Sequence, residues 1–179
     1  IAHGSQLSET RRVESDLQLV TMGPDGTRKG FKAERVLGVA PLRQFMVSGP
    51  GGRMQVSELA YDPQHPGWFD VYGEEDRKAG EWGHWTGRGM TWNNMCAACH
   101  NTRLRKNYEE KPDRYSTKMA EMGVGCEACH GPLADHNAWQ AKHPNQSGDP
   151  TVRRINREEM FAVCGSCHAR RAELTGDFR

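Results

Sequence analysis

The sequence has no long hydrophobic run. No stretch of this 179-residue chain approaches the roughly 20 consecutive apolar residues that a membrane-spanning helix requires, which excludes a transmembrane segment within it. Hydrophobic residues make up only 36% of the chain, and the mean hydropathy is −0.82. Core-forming side chains are therefore scarce, and we expect something other than polypeptide to fill part of the interior.

Neither sign of charge is in excess. Lys and Arg number 24 against 23 Asp and Glu, which leaves a net charge of +1. This balance excludes a global electrostatic attraction to nucleic acid or to an anionic membrane. The 9 prolines and 20 glycines follow no period, so collagen-like and low-complexity chains are excluded as well.

Cysteine is absent except in one short pattern, C-x-x-C-H, which occurs three times, at residues 96–100, 126–130 and 164–168. This pattern is the attachment signature of c-type haem. Two thiols three residues apart on a helical turn face the same way, so each can form a thioether to one vinyl group of the same porphyrin. The next residue, histidine, then reaches the iron as the proximal ligand. The predicted haem-binding residues are Cys96, Cys99, His100, Cys126, Cys129, His130, Cys164, Cys167 and His168.

Three other interpretations of the cysteines are a redox dithiol, a zinc ribbon and a set of disulfides. None of them requires a histidine after each second cysteine, and no cysteine is left over. We therefore expect three covalent haems c. Porphyrins are large, flat and apolar, so they would also fill the interior that the side chains leave short. The haem-bearing half is then expected to lose its fold without haem.

Residues 1–88 have the pattern of a β-rich scaffold or cover region. Residues 16–22 and 27–33 flank a Gly-Pro-Asp-Gly turn, which predicts a β-hairpin. Residues 44–48 and 53–60 flank a second Gly-rich turn, and residues 67–72 form a further extended stretch. A small antiparallel sheet is predicted.

Residues 89–179 form the predicted three-haem region. Helices are predicted at residues 115–122, 135–142 and 157–174, and Asn156 is the expected N-cap of the last helix. The predicted fold class is α+β with little regular structure: a small antiparallel β region followed by a helical and loop-rich, haem-packed region.

The sixth coordination positions require further ligands. Eight histidines are present, and five are not proximal: His3, His65, His84, His136 and His143. His136 follows His130 too closely to reach the far face of the same haem, so we expect it to ligate a neighbouring haem. His84 lies between two tryptophans that could flank a porphyrin, and His3 is a third candidate. The predicted metal ligands are His100, His130, His168, His84, His136 and His3; methionine is the alternative ligand type.

Many cations lie close to the three motifs in sequence, and some are expected to pair with haem propionates. They are Arg103, Arg105, Lys106, Lys118, Arg153, Arg154, Arg157, Arg170 and Arg171.

Several longer stretches resemble a known family. They are Trp82 to Gly89, Trp92 to Thr102, Lys106 to Tyr108, Gly123 to Pro132 with His136, and Cys164 to Arg171. Together they resemble the bacterial multihaem cytochromes c of the tetratricopeptide-associated type, distant relatives of the hydroxylamine oxidoreductase and cytochrome c nitrite reductase superfamily. The resemblance implies that His84 and His136 are distal ligands. Relatives usually carry further haem motifs before residue 1 and after residue 179, so a central fragment or a short form is expected.

The expected function is electron transfer along three closely spaced haems, each with two histidine ligands. An extracellular filament of identical subunits is a more specific version, in which His3 donates a ligand across the subunit boundary. Expected partners are other redox proteins or the haems of neighbouring subunits, and the expected location is the periplasm or the cell exterior. The alternative is an oxidoreductase that acts on a small nitrogen or sulfur oxyanion at one open-coordinate haem. The C-x-x-C-Lys motif of nitrite reductases is absent, which argues against that alternative.

Overall fold

The computed structural model describes residues 1–169. Contacts divide the chain into two compact units. The first comprises Ile1–Met95 with Tyr108–Ser116, and the second comprises Cys96–Asn107 with the residues from Thr117 onward. The functional division expected between residues 88 and 89 stays a prediction.

The first unit consists of antiparallel strands. A two-stranded pair, a three-stranded sheet and a four-stranded sheet each join strands that follow one another in the chain. The strands of these sheets are β1 (Ala2–His3), β2 (Gln6–Leu7), β3 (Glu9–Val13), β4 (Asp16–Met22), β5 (Arg28–Lys32), β6 (Arg35–Leu37), β7 (Arg43–Ser48), β8 (Met54–Asp62) and β9 (Gly67–Asp70). The unit also contains α1 (Trp92–Met95) and a small hairpin of β11 (Tyr108–Glu109) and β12 (Arg114–Tyr115).

Both predicted hairpins are present. The turn between β4 and β5 is closed by a hydrogen bond from Gly23 N to Thr27 O (2.8 Å), and the Asp25 carboxylate accepts from Thr27 N. Gly26 takes a φ of 75°, a left-handed conformation that glycine adopts without steric cost. Strands β7 and β8 form the second hairpin, with a register shift between Gln44 and Met46. The single small sheet predicted for this region is wrong, because these hairpins belong to separate sheets.

The core of the first unit lies between these strands. Leu19, Phe45, Val47, Leu59 and Trp85 form one buried cluster. The Trp85 indole donates through Nε1 to Met22 O at 2.7 Å, so its only polar group is satisfied inside the core. Burial of this cluster gives the first unit an apolar interior made of its own side chains.

Among the described residues, the second unit is built from short helices and one strand pair. They are α2 (Ala97–His100), β10 (Asn101–Thr102), β13 (Glu121–Met122), α3 (Glu127–His130), α4 (Ala134–Lys142) and α5 (Arg157–His168). The strands β10 and β13 pair antiparallel.

The helix predicted over residues 115–122 is wrong. Residues 121–122 form β13, and Lys118 exchanges two backbone hydrogen bonds with Arg105, at 2.8 and 2.9 Å. Pairing with a distant strand takes the place of the helix, because it satisfies the hydrogen-bonding groups of this backbone equally well. The helix at residues 135–142 is confirmed as α4.

The last predicted helix is confirmed at its start and wrong at its end. Asn156 and Glu159 form a capping box, in which Asn156 Oδ1 accepts from Glu159 N (2.9 Å) and Glu159 Oε2 accepts from Asn156 N (3.0 Å). Helix α5 ends at His168, because Ala169 has an extended backbone with φ −96° and ψ 129°. Residues 170–174 of the prediction lie outside the described residues. The α+β fold class is confirmed.

Candidate haem-binding site

Each C-x-x-C-H motif folds as a helical turn that ends at its histidine. His100, His130 and His168 are the last residues of α2, α3 and α5. In the first two motifs the histidine amide donates to the carbonyl of the first cysteine, at 3.2 Å for Cys96 and 2.9 Å for Cys126. The two cysteines and the histidine of each motif therefore share one face of a turn, as attachment to a single porphyrin requires.

The second unit brings the three motifs together. The second cysteine of each motif, Cys99, Cys129 and Cys167, lines one shared cavity. Small apolar side chains, including Ala98, Ala128 and Val163, line the remainder together with a few polar groups. Motifs that are well separated in the sequence are thus neighbours in space.

Hydrogen bonds connect the end of the first motif to the segment that directly precedes the second motif. Asn101 Nδ2 donates to Ala97 O at 2.8 Å and so satisfies a carbonyl within α2. Thr102 Oγ1 donates to Gly123 O and accepts from Gly125 N, both at 2.8 Å. Asn101 and Thr102 are buried. Sequence reasoning did not single out Asn101, although its position directly after the motif histidine is a usable signal.

The helices of the second unit bury almost none of their own side chains. No residue of α3, α4 or α5 is buried, although α5 runs for 12 residues. Phe161, Met122 and Val124 are each more than 60% exposed. A helix in water usually gains its stability by packing an apolar face. Because porphyrins are apolar and would attach at these helices, the residues present fit covalent haem.

The thiols of the first motif are held in their neutral form. All six cysteines of the chain are free. Burial, with a smaller contribution from Cys99, raises the pKa of the Cys96 thiol to about 11. Burial and the neighbouring Cys167 also raise the pKa of Cys99. A redox-active dithiol needs a lowered pKa, so these environments do not favour that interpretation.

His136 has the environment of an oriented metal ligand. It lies on α4, and its Nδ1 is 2.7 Å from Oδ2 of Asp149, whose side chain is only 5% exposed. Burial by itself would raise the pKa of Asp149, but hydrogen bonds from Thr151 and His136 outweigh it and hold the pKa below its usual range. Donation from Nδ1 to a carboxylate leaves the Nε2 lone pair for a metal.

His84 is buried with one ring nitrogen unpaired. Its Nδ1 lies 2.8 Å from Thr86 Oγ1, and its Nε2 has no hydrogen-bond partner among the described residues. Burial lowers the pKa of His84, so the imidazole is neutral at pH 7. Donation from Nδ1 to Thr86 would leave Nε2 able to bind iron. Trp85, one of the two tryptophans expected to flank a porphyrin, lies in the apolar core, whereas Trp82 is 65% exposed.

His3 is engaged at both ring nitrogens. Nε2 lies 2.9 Å from Ser8 Oγ, and Nδ1 lies 2.9 Å from Asp70 Oδ2. Ligation of iron by His3 would break one of these contacts, and it stays a prediction. Of the two histidines left unassigned, His65 is exposed beside Asp62 and His143 stacks on Trp139 at 4.5 Å between ring centroids.

Glu58 is a buried acid that sequence reasoning missed. Its Oε1 accepts from Thr21 Oγ1 and Ser8 Oγ, whereas Oε2 has no partner among the described residues. Burial raises the pKa of Glu58 to about 7. Glu58 and His84 line the same small cavity. The signal available in the sequence was a carboxylate in the middle of the strand Met54–Asp62.

Cations line a larger recess of the second unit. Arg103, Arg105 and Lys118 contribute to it, beside Gly131 and Pro132 directly after the second motif. These are among the cations expected to pair with propionates. Arg170 and Arg171, which were also expected to pair with propionates, lie outside the described residues.

Three helical turns, each with two cysteines and a terminal histidine, match the attachment pattern of c-type haem. The sequence model of the family described as "Cytochrome c554 and c-prime" matches residues 73–131, which include the first two motifs and His84. A curated protein described as "Multiheme cytochrome MtrA", from Shewanella baltica (strain OS185), is 31% identical over 101 residues. No solved structure matches the chain.

These matches show that part of the chain is similar to proteins described as cytochromes, one of them a bacterial multiheme cytochrome. The alignment with the relative covers 52% of this chain and 27% of the relative. The chain therefore spans about a quarter of that protein. No helix among residues 1–169 is long and apolar enough to cross a membrane.

Proposed function

We propose that this chain carries electrons along three covalently attached haems c that lie close together. The observation that supports this most directly is the shared cavity lined by Cys99, Cys129 and Cys167. Since each cysteine belongs to a different motif, three porphyrins attached there would be near neighbours. The exposed apolar side chains of the second unit, such as Phe161, would then be covered.

Each bound haem would supply a reversible one-electron couple. His100, His130 and His168 would hold the irons on one side as proximal ligands, each presented by the end of its helix. His136 and His84 are the proposed distal ligands of two irons, because each has one ring nitrogen without a partner among residues 1–169. His3 is the proposed distal ligand of the third iron. Irons with two histidine ligands have no position for substrate, so we propose an electron carrier rather than an enzyme. Arg103, Arg105 and Lys118 would pair with propionates.

The proposed location is the periplasm or the cell exterior, because bacteria attach haem c outside the cytoplasm. The proposed partners are other redox proteins or the haems of neighbouring copies of the chain. Assembly into a filament is a further prediction. If it is right, native mass spectrometry of the purified haem protein should detect ordered multimers.

Haem counting tests the proposal. We expect pyridine haemochrome absorbance and intact mass of the matured protein to give three haems per chain, and we expect the double variant Cys126→Ser, Cys129→Ser to give two. A ferric electron paramagnetic resonance spectrum should contain only low-spin signals. A bare polypeptide mass would overturn the proposal, and a high-spin ferric signal in the wild type would overturn the assignment of two histidines to every iron.

A further inference from the structure

Asp149 is placed to orient His136 through its ring. Four hydrogen-bond donors surround the carboxylate. Oδ1 accepts from Thr151 N (2.8 Å) and Thr151 Oγ1 (2.6 Å), and Oδ2 accepts from His136 Nδ1 (2.7 Å) and Gln140 Nε2 (3.4 Å). We propose that Asp149 is a positioning residue that fixes the tautomer and the direction of His136 as an axial haem ligand. The inference rests on the proposed function.

The carboxylate is rigid because its own loop holds it. Two of its bonds come from Thr151, two residues later, in the side-chain-to-backbone arrangement that short polar residues form in turns. Gly148, with φ +84°, precedes it in a conformation that favours glycine. The side chain is 5% exposed, so water competes little for Oδ2. Asp149 therefore holds its direction independently of His136.

The ring of His136 is presented by α4. The helix begins after the second motif, where the Glu127 side chain accepts from Leu133 N at 2.8 Å. The His136 side chain is 31% exposed, so its second nitrogen is not sealed inside the protein. With Nδ1–H donated to a carboxylate, the neutral ring carries its lone pair on Nε2. A carboxylate in this position also makes the imidazole a stronger electron donor to a metal.

A purely structural role is the competing explanation, in which the pair only ties α4 to the following loop. The two roles differ in one measurable respect. A positioning carboxylate changes the electron density at the iron and hence its reduction potential, whereas a structural tie does not. Loss of the carboxylate that holds a ligating histidine typically lowers metal affinity by about 10- to 100-fold. If ferric iron loses about tenfold more than ferrous iron, the potential of that haem rises by about 59 mV.

The test compares four variants of the haem-loaded protein, the fourth being Thr151→Val. Asp149→Asn keeps the shape of the side chain and removes its charge. Asp135→Asn is the matched control, because Asp135 is an exposed carboxylate next to His136 on the same helix. His136→Ala removes the proposed ligand. The readouts are haem count, spectroelectrochemical potentials, and carbon monoxide binding by the reduced protein.

We expect three haems in every variant. Asp149→Asn should raise the potential of one haem, Asp135→Asn should leave all potentials as in the wild type, and His136→Ala should create one carbon monoxide-binding haem. Thr151→Val, which removes one bond to Asp149, should raise the same potential by a smaller amount. If Asp149→Asn does not fold, the haem potentials of Thr151→Val are used in its place.

The failures can be told apart. Potentials unchanged in Asp149→Asn and Thr151→Val, with a carbon monoxide-binding haem in His136→Ala, would overturn the role of Asp149 and leave the proposed function intact. No carbon monoxide binding in His136→Ala would show that His136 is not a ligand and would also overturn the inference. Absence of haem from the wild type would overturn the proposed function itself.

Discussion

Replacement of Glu58 by glutamine should remove a defined part of the pH dependence of folding. Glu58 lies on β8, is 2% exposed, and leaves one carboxylate oxygen without a partner among the described residues. Burial raises its pKa from 4.5 to about 7, because the charged form is poorly solvated there. The folded state therefore binds this proton more tightly than the unfolded state does.

The sign and the size follow from linkage. Because the folded pKa is raised, the stabilisation linked to protonated Glu58 is fully present below pH 4.5 and is lost as the pH rises through about 7. Each pKa unit corresponds to about 1.4 kcal/mol, so the free energy of unfolding of the wild type should fall by about 3 kcal/mol across this window. Glutamine at this position cannot ionise. Its amide is a new buried donor, which adds an offset between variant and wild type that does not depend on pH.

The assay is urea unfolding of the haem-loaded protein, followed by β-sheet circular dichroism between pH 5 and pH 8. The quantity compared is the difference in unfolding free energy between the wild type and Glu58→Gln at each pH. Glu74→Gln, at an exposed acid, is the control and should show a flat difference. A flat difference for Glu58→Gln as well would refute the reasoning, because it would mean that Glu58 does not take up its proton on folding.

Three further perturbations test the core, the helix cap and the ligand set. Leu59→Ala, at a fully buried position of the core cluster, should lower the free energy of unfolding by about 2–5 kcal/mol in urea, and a loss below about 1 kcal/mol would contradict the packing described. Asn156→Ala should destabilise α5 by about 1 kcal/mol, measured as faster amide exchange in that helix; unchanged exchange would contradict the capping role. His84→Ala should produce one high-spin ferric haem in the electron paramagnetic resonance spectrum, whereas His65→Ala, at an exposed histidine, should not; low-spin signals alone in both would remove His84 from the ligand set.

Much of the first unit could be predicted from its turns. The Gly-Pro-Asp-Gly segment after Met22 and the glycines after Ser48 favour hairpins, because their backbone conformations are local. The division of the hairpins into separate sheets was not predictable in the same way, since only Ala33 and Glu34 separate β5 from β6 and these two residues do not show that strand pairing stops there. The false helix at residues 115–122 has the same origin. Lys118 pairs with Arg105, and no pattern within the segment reveals a distant partner.

The proposed haem attachment residues follow from the sequence alone. Two thioethers to one porphyrin and a histidine ligand to its iron need one turn of helix. The spacing of Cys96, Cys99 and His100 therefore predicts haem attachment without knowledge of the fold. Only the tertiary structure decided what surrounds the candidate ligands. Asp149 reaches His136 across 13 residues, and Ser8 and Thr21 reach Glu58 across 50 and 37. Contacts of this kind depend on how the chain packs and have no fixed spacing in the sequence. The hydrogen bond that orients His136 and the burial of Glu58 therefore could not be predicted from the sequence.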